Sequence, residues 1–190
     1  MFAAREWEDF QTLYRGAEVR PDIFFLSDSG LGKQLDPRQF EPVELEQWLM
    51  EQDAADRPAN PDFTFNPARL SDLDQIARLY QSTEFDRAYL GDIIRDNPSV
   101  CAYAGDTLAA FMLTHKDGET GPMIVLEAYR HRGLGDQLVR RISNILRQNG
   151  ILPIGHIYPD NVASAHLHRK VGYLPCEKTV LWVYPRARQK

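Results

Sequence analysis

The chain has 190 residues, with 27 Asp and Glu against 22 Lys and Arg, a formal net charge of −5, and 43% apolar residues. That length holds one large domain, or a domain with an added segment. The acidic balance gives nucleic-acid or anionic-membrane binding no electrostatic support, so neither is expected as a partner.

Two cysteines, Cys101 and Cys176, make neither a disulfide framework nor a metal-ligand spacing, and no metal is expected. The opening Met1-Phe2-Ala3-Ala4-Arg5-Glu6-Trp7 lacks the basic-then-apolar form of a secretory leader, and no apolar run approaches the ~20 residues of a membrane span. A soluble, cytoplasmic protein is the expectation.

Residues 1–60 read as an N-terminal extension packed on a core made by residues 61–190. In the extension, Trp7, Phe10, Leu13 and Tyr14 recur at helical steps, and Ile23-Phe24-Phe25-Leu26 is a short strand. Glu41-Pro42 followed by Val43, Leu45, Trp48 and Leu49 predicts a helix with proline in its first turn. Asp56-Arg57-Pro58-Ala59-Asn60-Pro61 is a linker. Ser29-Gly30-Leu31-Gly32-Lys33 faintly resembles a phosphate-binding P-loop, but Ser27 stands where its first glycine belongs and Gln34 where its metal-binding hydroxyl belongs. A glycine-rich surface turn is expected there.

From residue 63 the elements come quickly. Phe63-Thr64-Phe65 is a first strand. Ser71 with Asp74 signals a helix start, with Leu73, Ile76, Ala77 and Tyr80 on its inner face. Tyr89, Leu90, Ile93 and Ile94 predict a second helix ended at Asn97-Pro98. Residues 99–104 and 107–115 form a hairpin about Gly105-Asp106, and Asp117-Gly118 turns the chain into a strand near 123–126. A long amphipathic helix then buries Leu134, Leu138, Ile142, Ile145 and Leu146, with Arg140, Arg141, Arg147 and Gln148 on the opposite face, and stops at Asn149-Gly150. A buried strand over 152–157, a helix over 162–171 and a last strand over 179–184 follow. The order β-α-α-β-β-β-α-β-α-β implies an α/β (α+β) fold with a mixed sheet and helices on both faces.

Two segments carry the chemistry. Arg130-His131-Arg132-Gly133-Leu134-Gly135 lies between a strand and the long helix. A loop with glycines at those places can aim backbone N–H groups at an anion, and the helix dipole adds to the attraction; this is a pyrophosphate cradle. Asp160-Asn161-Val162-Ala163-Ser164, continuing through Leu167, Lys170 and Gly172-Tyr173, fits the far wall of the same cleft. The basic residues Arg130, His131, Arg132, Arg140 and Arg141 are local to it, which suits a small polyanionic ligand on an otherwise acidic protein.

These motifs, over about residues 63–184, resemble a GNAT-superfamily N-acetyltransferase, and within it the FR47-like and glycine N-acyltransferase-like branch. The resemblance implies a mostly antiparallel central sheet, with splayed parallel strands forming an acyl-CoA cleft. It also implies acetyl-CoA, or another acyl-CoA, as co-substrate. Met123, Ile124 and Val125 would align the pantetheine arm and thioester as an added strand would. Arg130, His131, Arg132, Gly133, Leu134, Gly135 and Asp136 would hold the pyrophosphate. Asn161 would bond the pantetheine arm, with helix N-capping as its competing role, and Ser164 joins the cofactor-binding set. His168 stands where many members have a tyrosine that protonates the departing thiolate; the alternative is a ring that only packs. His115, Glu127 and His156 lie on or beside the strands of the acceptor side, and Glu127, just after the thioester strand, is the candidate base or an exposed strand-end carboxylate. The implied reaction is N-acylation of a small primary amine or amino acid by direct attack. The rival readings are a CoA-binding sensor without turnover and a protein N-terminal or lysine acetyltransferase. The oligomeric state is not legible in the sequence.

Overall fold

In the computed structural model residues 24–26, 29–55, 57–80 and 85–186 are described. The strands are β1 (Phe24–Leu26), β2 (Phe40–Leu49), β3 (Thr64–Asn66), β4 (Val100–Ala104), β5 (Thr107–Thr114), β6 (Thr120–Val125), β7 (Ile154–Ile157) and β8 (Leu174–Pro185). The helices are α1 (Ser29–Gly32), α2 (Leu73–Leu79), α3 (Arg87–Asp96), α4 (Leu134–Gln148) and α5 (Val162–Val171), with 3-10 turns at Leu70–Asp72 and Glu127–Tyr129. From β3 onward the order is the expected one. Hydrogen bonding divides the strands into two four-stranded sheets, ordered β1-β8-β2-β7 and β3-β4-β5-β6. The helix expected around Trp7 lies outside the described residues.

The described chain forms two compact units. One is Trp48–Gly155 with Val162–Leu174. Its sheet is antiparallel throughout, with β4 and β5 joined by the expected hairpin. β5 is buried at every residue after Thr107, so the strand is covered on both faces. Leu73 and Ile76 of α2 and Leu90, Ile93 and Ile94 of α3 pack against Cys101, Tyr103, Phe111 and Leu113. Each fully buried Leu, Ile or Phe contributes roughly 1.5–3 kcal/mol.

Two details of this unit depart from expectation. Ser71 does not start α2: the chain enters through the 3-10 turn, where the Asp72 carboxylate accepts the Arg69 N–H at 3.0 Å and the Tyr103 O–H at 2.6 Å. In α4, Leu134, Leu138, Ile142 and Leu146 are buried at steps of four, but Arg140 is buried with them instead of facing solvent. Arg141 is half-buried, its guanidinium 4.3 Å from the Phe65 ring centre.

Residues 50–55, 57 and 58 run along α4 and are bonded to it. Ala54 exchanges hydrogen bonds with the Asn144 side chain at 2.9 and 3.2 Å, and Arg147 meets Asp53 at 2.6 Å.

The second unit comprises the described chain up to Gln47, His156–Asn161 and the chain from Pro175. β8 lies between β1 and β2 in the sheet order, with Phe24↔Val183, Phe25↔Trp182 and Leu26↔Leu181 paired antiparallel. On the β2 side, the Thr179 hydroxyl donates to Glu44 at 2.6 Å and the Arg186 N–H to the Gln39 carbonyl at 2.7 Å.

β2 corrects the helix expected from Glu41-Pro42. Phe40, Leu45 and Trp48 are its buried residues; of the apolar positions that suggested a helix, only Leu45 and Trp48, three apart, are buried. A short apolar run cannot be assigned by period alone, and proline is tolerated near a strand's start. The glycines at 30 and 32 lie in the short helix α1, not a surface turn; a Cβ on Gly32 would collide with Leu181 Cδ1.

Candidate functional site

β6 is the last strand of its sheet. On one side it pairs with β5 through Ala110↔Val125, Phe111↔Ile124 and Met112↔Met123. On the other, one parallel bridge, Glu119↔Ile154, meets it at its start. No ladder continues past that bridge, so the backbone of Met123, Ile124 and Val125 borders no further strand among the described residues. Pro122, lacking an N–H, suits an edge position. A free strand edge of this kind can pair with any extended amide chain laid along it.

Beyond β6, the Leu126 N–H donates to the Ala109 carbonyl at 3.0 Å and the chain enters the Glu127–Tyr129 turn. Arg130 reaches back, its Nε donating to the Val125 carbonyl at 3.4 Å. His131 (φ 60) and Gly133 (φ 80) both take left-handed backbone conformations, which turn successive N–H groups toward one side. Gly133 is the N-cap of α4 and offers no capping side chain, and the first intrahelical bond runs from the Gln137 N–H to the Gly133 carbonyl. The N–H groups of Leu134, Gly135 and Asp136 therefore have no partner within the helix.

The two glycines serve different ends. A Cβ on Gly133 would meet nothing within 4 Å, so that space is open for a ligand. A Cβ on Gly135 would lie 3.2 Å from Leu167 Cδ2, so this glycine lets α4 sit close to α5. Arg130, His131 and Arg132 are exposed around the opening.

Asp136, expected to offer its backbone, also commits its side chain. It is 7% exposed, and Arg140, 5% exposed, donates Nε to Oδ2 at 2.7 Å and Nη2 to Oδ1 at 3.4 Å. Lys170 Nζ and Arg57 Nη1 lie 3.3 and 3.8 Å from Oδ1. Burial pushes the Asp136 carboxyl up, but the hydrogen bonds and charges of Arg140 and Lys170 hold it below the usual carboxylate range. The spacing of Asp136 and Arg140, four apart on a helix, is the signal that would have found this pair.

Beside the parallel bridge, the Thr120 hydroxyl donates to the Ile154 carbonyl at 3.0 Å, and a Cβ on Gly155 would lie 3.2 Å from Thr120 Oγ1 and 3.5 Å from His168 Nε2. His168 is 5% exposed and meets the Tyr173 ring edge-on at 4.9 Å. The Tyr173 hydroxyl bonds Ser143 at 2.8 Å. Burial lowers the His168 pKa, and the hydrogen bond to the Ser164 backbone partly opposes this. In the neutral ring Nδ1 donates its proton to the Ser164 carbonyl at 2.8 Å, which leaves Nε2 bare as an acceptor.

The remaining candidates are more scattered. Glu127 is exposed at the first position of its turn. Ser164 is half-buried in the first turn of α5. Asn161 is exposed and belongs to the other unit, where its N–H donates to the Tyr158 carbonyl at 2.8 Å. The His115 ring is buried and bonded to the Tyr89 hydroxyl at 2.9 Å, while His156 accepts from Trp182 Nε1 at 3.0 Å. Among the described residues no group of three or more His, Cys, Asp and Glu could hold a metal ion, and no helix is long and apolar enough to cross a membrane.

The fold recurs in proteins of known structure. The chain is similar to a Drosophila protein (TM-score 0.75, 18% identity, covering 94% of this chain and 66% of that one). It is also similar to a GCN5-related N-acetyltransferase from Kribbella flavida (TM-score 0.64, 17% identity, 95% and 74% covered). A third likeness is to an acetyltransferase of the GNAT family from Colwellia psychrerythraea (TM-score 0.61, 15% identity, 94% and 72% covered). The chain thus has the GNAT-superfamily fold, a mixed α/β architecture as expected. Within it, residues 100–183 match the sequence model of the family described as FR47-like protein. No curated protein matches the chain in sequence.

Proposed function

We propose that the protein is an acyl-CoA-dependent N-acyltransferase, with acetyl-CoA its first donor, acting on a small primary amine or amino acid. The observation that carries this reading is the uncapped first turn of α4 behind the open space at Gly133, entered from the unpaired edge of β6. Bound there, an acyl-CoA supplies a thioester carbonyl open to attack by a neutral amine.

The N–H groups from His131 to Asp136 hold the diphosphate. The free edge of β6 at Met123, Ile124 and Val125 aligns the pantetheine amides and offers N–H groups to the carbonyl oxygen, where charge develops during attack. Most of the rate enhancement then comes from positioning. The attacking nitrogen must lose one proton and the departing sulfur must gain one. His168 Nε2, bare and close to Gly155, takes a proton from the attacking amine and returns it to the sulfur. A buried imidazolium gives up its proton readily, because burial disfavours the charged ring. Glu127, at the end of β6, is the remaining candidate to accept a proton from an amine that arrives charged.

The resemblance to the glycine N-acyltransferase-like branch and the acidity of the chain both support a small amine over an acidic macromolecule. The test is thiol release from acetyl-CoA, benzoyl-CoA and longer donors against a panel of amino acids, polyamines and peptides. Turnover on free small amines is expected. Turnover confined to peptide N-termini or lysine side chains would assign a protein-modifying enzyme, and acyl-CoA binding with no acceptor-dependent release would assign a sensor.

A further inference from the structure

Three cations meet one carboxylate beside the first turn of α4. Arg140 alone satisfies Asp136, contacting both of its oxygens from a buried position. Lys170 and Arg57 rest on the same Oδ1 at 3.3 and 3.8 Å with side chains 53% and 51% exposed. Neither has a second carboxylate within ion-pair distance among the described residues. Three positive charges against one negative leave two in surplus. Both cation tips stand half in solvent, which weakens their hold on Asp136, and Arg140 keeps that carboxylate paired when they leave it.

Their roots, by contrast, are fixed. Arg140 Nη2 donates to the Lys170 carbonyl at 3.3 Å and Nη1 to the Ala55 carbonyl at 3.1 Å. Gln137, also buried, donates Nε2 to the carbonyls of Arg57 and Pro58 at 3.4 and 3.2 Å. Two side chains of α4 thus anchor the backbone beneath both cations while leaving their charged tips free to move.

Resting on the acyl-CoA reading above, we propose that Lys170 and Arg57 are specificity-determining residues that select donors bearing the 3′-phosphate of CoA. A CoA molecule carries two anionic groups, the diphosphate and a phosphate dianion on the ribose. Backbone N–H groups take the first. The second needs cations beside the same helix end, and the two surplus charges stand there. On binding, Lys170 and Arg57 exchange Asp136 for the phosphate, and Asp136 stays neutralised by Arg140.

Isothermal titration of the full chain with CoA and with dephospho-CoA, which lacks only that phosphate, tests this. The wild-type protein is expected to bind CoA roughly 10-fold tighter, as charge-assisted contacts allow. Lys170→Met combined with Arg57→Gln, both at half-exposed positions, should bring CoA down to the dephospho-CoA affinity and leave dephospho-CoA binding unchanged. Equal wild-type affinity for the two ligands, or a preference that survives the double substitution, overturns the inference while the acyl-CoA reading stands. Failure of the wild-type protein to bind either ligand overturns both.

Discussion

His168 can be judged by where its protons are. The Ser164 carbonyl accepts the Nδ1–H at 2.8 Å, so the nitrogen left bare is Nε2, beside Thr120 and Gly155. Replacing the ring by phenylalanine keeps the packing against Tyr173 and removes both nitrogens. Turnover is expected to fall ~10- to 100-fold, at or below the usual range for one proton-transfer group, with acetyl-CoA affinity little changed. Normal turnover of His168→Phe in the thiol-release assay would assign the ring to packing alone. The same residue predicts a pH signature. Its folded pKa lies below 6.5, so as pH falls below 6.5 the unfolded chain takes up a proton that the folded ring resists. The unfolded state then binds more protons, and stability falls with acid until the lowered folded pKa is passed. In His168→Phe this part of the acid sensitivity should vanish from denaturant titrations at pH 7 and 5.5.

At the level of elements, the loop into α4 separates backbone strain from ligand approach. Gly133 and Gly150 both hold positive φ, 80 and 73, and at neither would a Cβ meet an atom within 4 Å. Alanine at either should cost about 1–2 kcal/mol from the left-handed backbone alone, a fall in Tm of about 2–8 °C in a chain of this size. Only Gly133→Ala should also weaken acetyl-CoA binding, by ~10-fold or more through crowding of the diphosphate. Equal thermal losses with unchanged titrations in both variants would move the anion site away from this loop.

The glycines, the hairpin at Gly105-Asp106 and the span of α5 were legible because local backbone chemistry dictates them. β2 was not, because the apolar positions 43, 45, 48 and 49 follow no strict alternation and only neighbouring strands make it a strand. Arg140 was not, because a single-helix pattern assigns every arginine to solvent, whereas a buried Asp136 and two backbone carbonyls pull this one inward. The position of His168 was legible, but which nitrogen it leaves bare depends on the Ser164 carbonyl one turn earlier, which a residue list does not show.

For the whole molecule, the question is whether residues 1–49 are detachable. The sheet order β1-β8-β2-β7 answers through β8, the last strand among the described residues. Both of its neighbours come from the first 49 residues, with Leu26 paired to Leu181 and Thr179 bonded to Glu44. β8 also buries Val180, Leu181, Trp182 and Val183. Without β1 and β2 it would present unpaired N–H and C=O groups along two edges, with a run of apolar side chains between them, a template for aggregation. The N-terminal segment is therefore predicted to be integral to the folded protein. A chain beginning at Met50 should be insoluble, or should melt ~10 °C or more below the full-length protein, the shift expected for several kcal/mol in a chain of this size. In native full-length protein, limited proteolysis should cut β1 and β2 no faster than the rest of the sheet. A soluble chain from Met50 that keeps the full-length Tm and the acetyl-CoA-induced thermal shift would show instead that the C-terminal part stands alone, and that the N-terminal strands are an addition to it.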